Sequence, residues 1–335
     1  MIQFIPIISS VILSGIFLYL SNLISLGSRS DAFFVYYLNL ISQPLKYSLF
    51  WLAVAVVVSF GLLVWLALTF LKFSMKLTDW RALFAERLRE IPSFLKRESV
   101  FFAKYALPAG FSFFLVAFIL GYVNQINSVN LKDEILMSFD KTIFGVYPGL
   151  YLSSFSYPDW FPKAVIFFFE NLVSVVAIAA AYLYFRTKPL FKKFSVSLCL
   201  SLLFMLPLWM TFPALSPHDR FIDNVYNLPI AEVLSQKIAE YKPSAFVGEF
   251  LLEMRNKKEA SGTPYLPTST LPSAHVAWAV IAGFYLFKAK RVLGIIALPP
   301  LIFSSFGTVF LAQHYFVDVL GGAGVGLLAI VFAML

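Results

Sequence analysis

The stretch HYFVDVLGGAGVGLLAIVFAML, residues 314–335, holds one acidic side chain, Asp318, and no lysine or arginine. Its length matches the ~20 residues that a helix needs to cross a bilayer. Inside hydrocarbon each backbone N–H and C=O must find its partner within the protein, and a lone segment meets that demand as a helix. Similar apolar runs lie upstream, near 4–26, 49–71, 105–123, 164–185, 194–212, 274–287 and 292–312. Composition agrees, with 60% hydrophobic residues, 13% charged residues and a mean hydropathy of +0.81. The chain therefore reads as an all-α integral membrane protein with about eight transmembrane helices. Its single cysteine, Cys199, lies in an apolar run and reads as a packing residue. The first charge is Arg29, so no basic leader precedes the first apolar run, which is expected to be a retained span.

The net charge of +8 does not imply nucleic acid, because it is sorted by connector. Segments 72–104, 186–193 and 288–291 hold 15 of the 26 lysines and arginines. They alternate with segments 27–48, 124–163 and 213–273, in which acidic residues balance the basic ones. The positive-inside rule places the basic connectors, and both chain ends, on the cytoplasmic side. Segment 80–104, with aromatic residues among its charges, reads as an amphipathic helix on the membrane surface. Only Glu170 and Asp318 lie inside spans, and an intramembrane ionisable residue is a functional candidate by default.

All three histidines, His218, His275 and His314, fall at the non-cytoplasmic ends of spans or in the loop there. The segment Leu271-Pro272-Ser273-Ala274-His275 leads straight into the run Val276–Phe287. Proline suits a first helical turn. Unpaired N–H groups at a helix start, with a Ser273 hydroxyl beside them, make a pocket for a phosphate-sized anion next to His275. His314 and Asp318 stand four residues apart on one helix face. A carboxylate on one ring nitrogen fixes the tautomer and aims the other nitrogen as nucleophile or base. Gly321, Gly322, Gly324 and Gly326 would let a second helix approach closely. Two histidines and a carboxylate can also hold a metal, but a helix start beside His275 favours an anion. No nucleophile turn of the Gly-x-Ser-x-Gly kind is present, which weakens a Ser–His hydrolase. A transporter, the remaining alternative, should show related halves, and none is visible.

With these residues in hand, the chain resembles the type 2 phosphatidic acid phosphatase superfamily, relatives of the vanadium haloperoxidases. Pro272-Ser273-Ala274-His275 is similar to the second motif, usually Pro-Ser-Gly-His, with Ala274 in the glycine's place. His314 and Asp318 match the third. Two features depart from the pattern. Gly307-Thr308 stands where the third motif usually opens with Ser-Arg, and the first motif is not recognisable. These departures resemble the branch of inositol phosphorylceramide synthase and related inositol phosphotransferases. Asp140-Lys141-Thr142-Ile143-Phe144-Gly145 is similar to that branch's Asp-x-x-x-Phe-Gly. Phe212-Pro213-Ala214-Leu215-Ser216-Pro217 is similar to its Phe-Pro-x-x-x-Pro, leading to His218 and Arg220.

The resemblance covers roughly 105–335. It implies a six-helix catalytic core there, behind a two-span extension at 1–104. It implies that His314 attacks phosphorus, that Asp318 orients it, and that His275 serves the leaving and accepting oxygens. No metal or other cofactor is required. The partners implied are the bilayer and a phospholipid, sphingolipid or polyprenyl phosphate substrate. The candidate phosphate- and substrate-binding residues are Ser273, Ala274, His218, Arg220, Asp140 and Glu170. Arg220 is the first candidate to replace the absent motif arginine, followed by Arg255, Lys257 and Lys258. Loop 213–273 mixes apolar and charged helical stretches and is expected to form a lid. Glu170 is expected at the depth of the site, as a buried hydrogen-bonding or catalytic group.

Overall fold

The computed structural model describes residues 4–23, 92–126, 131–223, 229–260, 268 and 270–335. The expected span at 49–71, the first part of segment 80–104 and parts of the lid lie outside the described residues.

All the regular structure among these residues is helical. Helix α1 (Ile5–Leu23) packs on α2 (Leu107–Ile126), which is entered through a π-turn at Phe102–Ala106. Hydroxyls fasten the two: Ser10 donates to the Pro108 carbonyl at 2.9 Å and meets the Ser112 hydroxyl at 3.2 Å. Such bonds matter in lipid because hydrocarbon supplies no competing partner, although each contributes only about 0.6 kcal/mol. Two short helices follow, α3 (Asp133–Phe144) and α4 (Pro148–Ser153).

The expected span at 164–185 is two helices, α5 (Trp160–Glu170) and α6 (Leu172–Arg186), bent by 57°. Asn171 stands at the break, and both its backbone N–H and its side-chain amide donate to the Phe167 carbonyl, which closes the end of α5. Helix α7 (Lys188–Thr211) leads to the π-turn His218–Ile222 and the two lid helices, α8 (Glu232–Ala239) and α9 (Ala245–Ala260). Helices α10 (Ala274–Ala289), α11 (Arg291–Phe310) and α12 (Phe316–Met334) complete the chain. Four helices are long and apolar enough to span a membrane among the described residues, or five with the bent pair as one span; part of α1 and all of α10 are shorter apolar helices.

Helices α6, α7, α10 and α12 share one core, in which Leu183, Phe194, Ile281 and Tyr285 are buried. The Tyr285 hydroxyl meets that of Ser197 at 2.9 Å, so the polar atom it carries into the core is satisfied. The opposite faces of α11 and α12 expose Ile295, Ile296, Ile302, Leu327, Leu328 and Val331, an apolar belt suited to lipid contact.

Charge marks one end of the bundle. Lys188 pairs with Glu98, Lys193 donates to the Met334 carbonyl at 3.2 Å, and Lys288 approaches the Met334 sulfur. The start of α7, the end of α10 and the end of α12 thus meet at a basic end. The histidine-bearing starts of α10 and α12 lie one helix length away, at the other end.

Candidate active site

Helix α12 begins with its own bracing. The Gln313 and His314 N–H groups both donate to the Thr308 carbonyl, at 3.0 and 2.8 Å, and Ala312 takes a positive φ of 52° to make this turn. His314 Nδ1 lies 3.3 Å from Asp318 Oδ2, which also accepts from the Tyr315 N–H at 3.0 Å. Asp318 is fully buried, whereas the His314 side chain keeps 12% of its surface exposed. With Nδ1 facing the carboxylate, Nε2 is the nitrogen left to meet a substrate.

Helix α10 brings the second histidine. Ser273 caps it, its hydroxyl accepting from the Val276 N–H, and the Ser273 N–H donates to the Asp318 carbonyl at 3.0 Å. Trp209 at the end of α7 holds the Pro272 carbonyl at 3.1 Å. The first N–H groups of this helix, from Ala274 and His275, have no carbonyl one turn before them, the local requirement for an anion site. The His275 and His314 rings sit 6.2 Å apart, inclined at 63°. On its other side His275 stacks flat on Phe169 of α5, with centroids 4.8 Å apart and planes 5° apart. A Cβ on Gly307 would lie 3.1 Å from the Phe169 Cβ and from Val165, so glycine in the place of the motif serine lets α5 reach the histidine.

The remaining candidates have other surroundings. Arg220 is buried, bonded to Asp133, to Glu134 at 3.2 Å and to the Pro229 carbonyl at 2.8 Å. These contacts commit its charge to α3. His218 is buried, with Nδ1 3.3 Å from Asp223, and its N–H donates to the Ala312 carbonyl at 2.9 Å, which braces the turn before His314. Asp140 caps α12, one oxygen accepting from the Phe316 N–H at 2.7 Å and the other from the Val317 N–H at 3.0 Å. Glu170 is exposed at the α5–α6 bend, next to Phe169. Arg255 is exposed on α9, and the side chains of Lys257 and Lys258 lie outside the described set. The motif segments before His218 are woven into this end: the Ala214 N–H donates to Thr268, the Thr270 hydroxyl to Ala214, and the Lys132 N–H to Pro213. Two contributors carried no sequence signal. Phe169 lies in a run of three phenylalanines, and Asp133 is a charge in a connector. Among the described residues, no group of three or more His, Cys, Asp or Glu side chains is arranged to hold a metal ion.

The Asp140 cap has a pH consequence. Burial pushes its carboxyl up to about 6, against the two N–H donors that favour the anion, with Asp318 adding a smaller push. A carboxyl whose folded pKa exceeds its unfolded value binds its proton more tightly when folded, so its contribution to stability grows as pH falls through that value. The melting temperature of the native protein, compared with Asp140→Asn, is therefore expected to shift in the native protein's favour between pH 7 and pH 5. A gap constant across that range would contradict the burial argument.

No curated protein and no solved structure matches the chain. The sequence profile of the PAP2 superfamily does, over residues 135–332. That range runs from α3 to α12 and takes in both histidine motifs, the two turns that brace them and the lid between. By this match, the chain belongs to the PAP2 superfamily, a phosphatase-type family of lipid phosphates.

Proposed function

We propose that the protein transfers a phosphoryl-bearing group from a lipid phosphate through a phosphohistidine, with an alcohol as the final acceptor. The observation that carries this reading is the pairing of His314, held by buried Asp318, with His275 at the start of α10, 6.2 Å between rings. His314 Nε2 attacks phosphorus and the bond to the leaving oxygen breaks, with His275 giving that oxygen its proton. In the second half, His275 takes the acceptor hydroxyl's proton as its oxygen bonds to phosphorus and the N–P bond breaks. Asp318 steadies the His314 cation, and the first N–H groups of α10 meet the oxygens of the transferring group.

Transfer in preference to hydrolysis rests on two features. Gly307-Thr308 replaces the usual Ser-Arg, as in the inositol phosphotransferase-like branch. The lid helix α9 is also seated, with Val247, Phe250 and Leu251 buried against α5 and the end of α11. A covered phosphohistidine survives until an alcohol arrives, whereas an open one is hydrolysed. The test incubates purified enzyme with labelled phospholipid, with and without a sphingoid, glycerolipid or polyol acceptor. Exchange products that rise with acceptor, at the expense of the product of water attack (free phosphate from a lipid monophosphate, the phosphorylated head group from a diester), are expected. Phosphate released at an acceptor-independent rate would make the enzyme a lipid phosphatase instead.

Residues 105–335 are the catalytic core of this reading and 1–104 its extension. The basic end faces the cytoplasm, and the site faces the periplasm, the cell exterior or a lumen. A cysteine at the exposed Ser235 of α8, in a Cys199→Ser background, is accordingly expected to react with an impermeant maleimide in intact cells. Reaction only after permeabilisation would invert the topology and move the site to the cytoplasm.

A further inference from the structure

The second histidine of the proposed mechanism has an aromatic neighbour without a role in the chemistry so far. Phe169 is buried, and its ring lies flat against His275. Flat stacking against one face fixes the plane of an imidazole and leaves both nitrogens, which lie in that plane, open at the edge. It also favours the imidazolium that forms when His275 takes up a proton, through the negative face of the phenyl ring.

Phe169 is itself held from two sides. Gly307 lets its Cβ sit within 3.1 Å of where a side chain would be. Phe250 of α9 meets it edge-on, with centroids 6.3 Å apart and planes at 89°. The position is the last buried one of α5 before the 57° bend, so the helix ends where the ring is needed. A continuous contact path therefore runs from α9 through Phe250 and Phe169 to His275.

We infer that Phe169 is the positioning residue for His275, and that α9, through Phe250, couples the seating of the lid to proton delivery. The inference rests on the acid–base role of His275 proposed above. Its consequence is specific. A misplaced His275 hurts substrates whose leaving oxygen needs a proton, and spares those whose leaving group departs as a stable anion. With the lid lifted, Phe169 loses the edge-on support of Phe250, and proton donation weakens before access to His314 is lost.

The experiment compares kcat/KM for dodecyl phosphate, a poor leaving group, with that for p-nitrophenyl phosphate, a good one. This parameter reports the steps up to departure of the leaving group. Phe169→Leu is expected to lower the dodecyl value by about 10- to 100-fold, part of the usual worth of acid catalysis, mostly in kcat. The nitrophenyl value should fall far less. Phe169→Tyr keeps the ring and should restore the ratio, and Phe250→Ala should reproduce the selective loss more weakly.

His275→Ala separates the two levels of the argument. If it shows the selective loss and both Phe169→Leu and Phe250→Ala do not, the inference is overturned and the acid–base reading stands. If His275→Ala shows no selective loss, the acid–base reading itself fails. A Phe169→Leu protein that loses both substrates equally points to a structural role and overturns the inference. Should that variant not fold, the Phe250→Ala ratio decides: unchanged, it overturns the inference.

Discussion

His314→Ala is expected to remove turnover, by on the order of 10⁴-fold or more, and with it any phosphoenzyme trapped by rapid acid quench from labelled substrate. The imidazole is held through Nδ1 by the fully buried Asp318 carboxylate, and alanine leaves nothing there to bond phosphorus. Asp318→Asn is a graded companion. It keeps one oxygen to accept from the Tyr315 N–H, but it removes the charge that steadies the histidine cation and the preference for protonation at Nδ1. A loss of about 10²- to 10⁴-fold is expected there, as for other carboxylate–histidine pairs, without loss of fold by circular dichroism. Full activity in His314→Ala would end the assignment. Activity that vanishes with a chelator and returns with a transition metal would favour metal ligation by the same side chains.

Much of this site was legible from residue types at fixed spacings. His314 and Asp318 do meet, but not across one helix face: His314 precedes α12, Tyr315 is its extended cap, and Asp318 in the first turn reaches back to both. Ser273 caps α10 because its hydroxyl is short enough to reach the backbone. These are local effects, which a sequence records directly. What escaped was set by contacts distant in sequence. Arg220 has the charge to replace the motif arginine, but Asp133 on α3 holds it, and a charge partner 87 residues away leaves no periodic trace. Asp140 matches a family segment, yet its oxygens go to the backbone at Phe316 and Val317, so its place is to hold α12. Glu170 reads from hydropathy as a buried charge. The bend at Asn171, invisible to a sliding window, leaves it exposed instead. Phe169 had no signal because one phenylalanine in an apolar helix resembles any other.

The glycines of α12 show the same divide, and they carry the second large effect. Four of them suggested a close helix approach; Gly322 and Gly326 make it against α10, and Gly321 packs on Leu271 and Pro272 just before that helix. A Cβ on Gly322 would lie 2.3 Å from the Ser273 carbonyl oxygen and 3.1 Å from Val276, and one on Gly326 would lie 2.8 Å from the Ala277 oxygen. Gly321 is tighter than ordinary contact at 3.2 Å, while Gly324 has open space around it. Gly322→Ala must push α12 away from α10, because the atom it meets is backbone and also accepts the Ala277 N–H. Overpacking of this kind costs about 1–3 kcal/mol, so the melting temperature in detergent is expected to fall by several degrees. Activity should fall further than stability predicts. The Ser273–Asp318 backbone bond crosses the same contact, and moving His314 relative to His275 by about 1 Å can cost ~100-fold. Gly324→Ala, on the same helix and two residues along, is expected to leave both melting and turnover close to native. If Gly322→Ala melts and turns over like the native protein, the starts of α10 and α12 are not packed as described. The two histidines would then lack the shared frame on which the phosphohistidine mechanism depends.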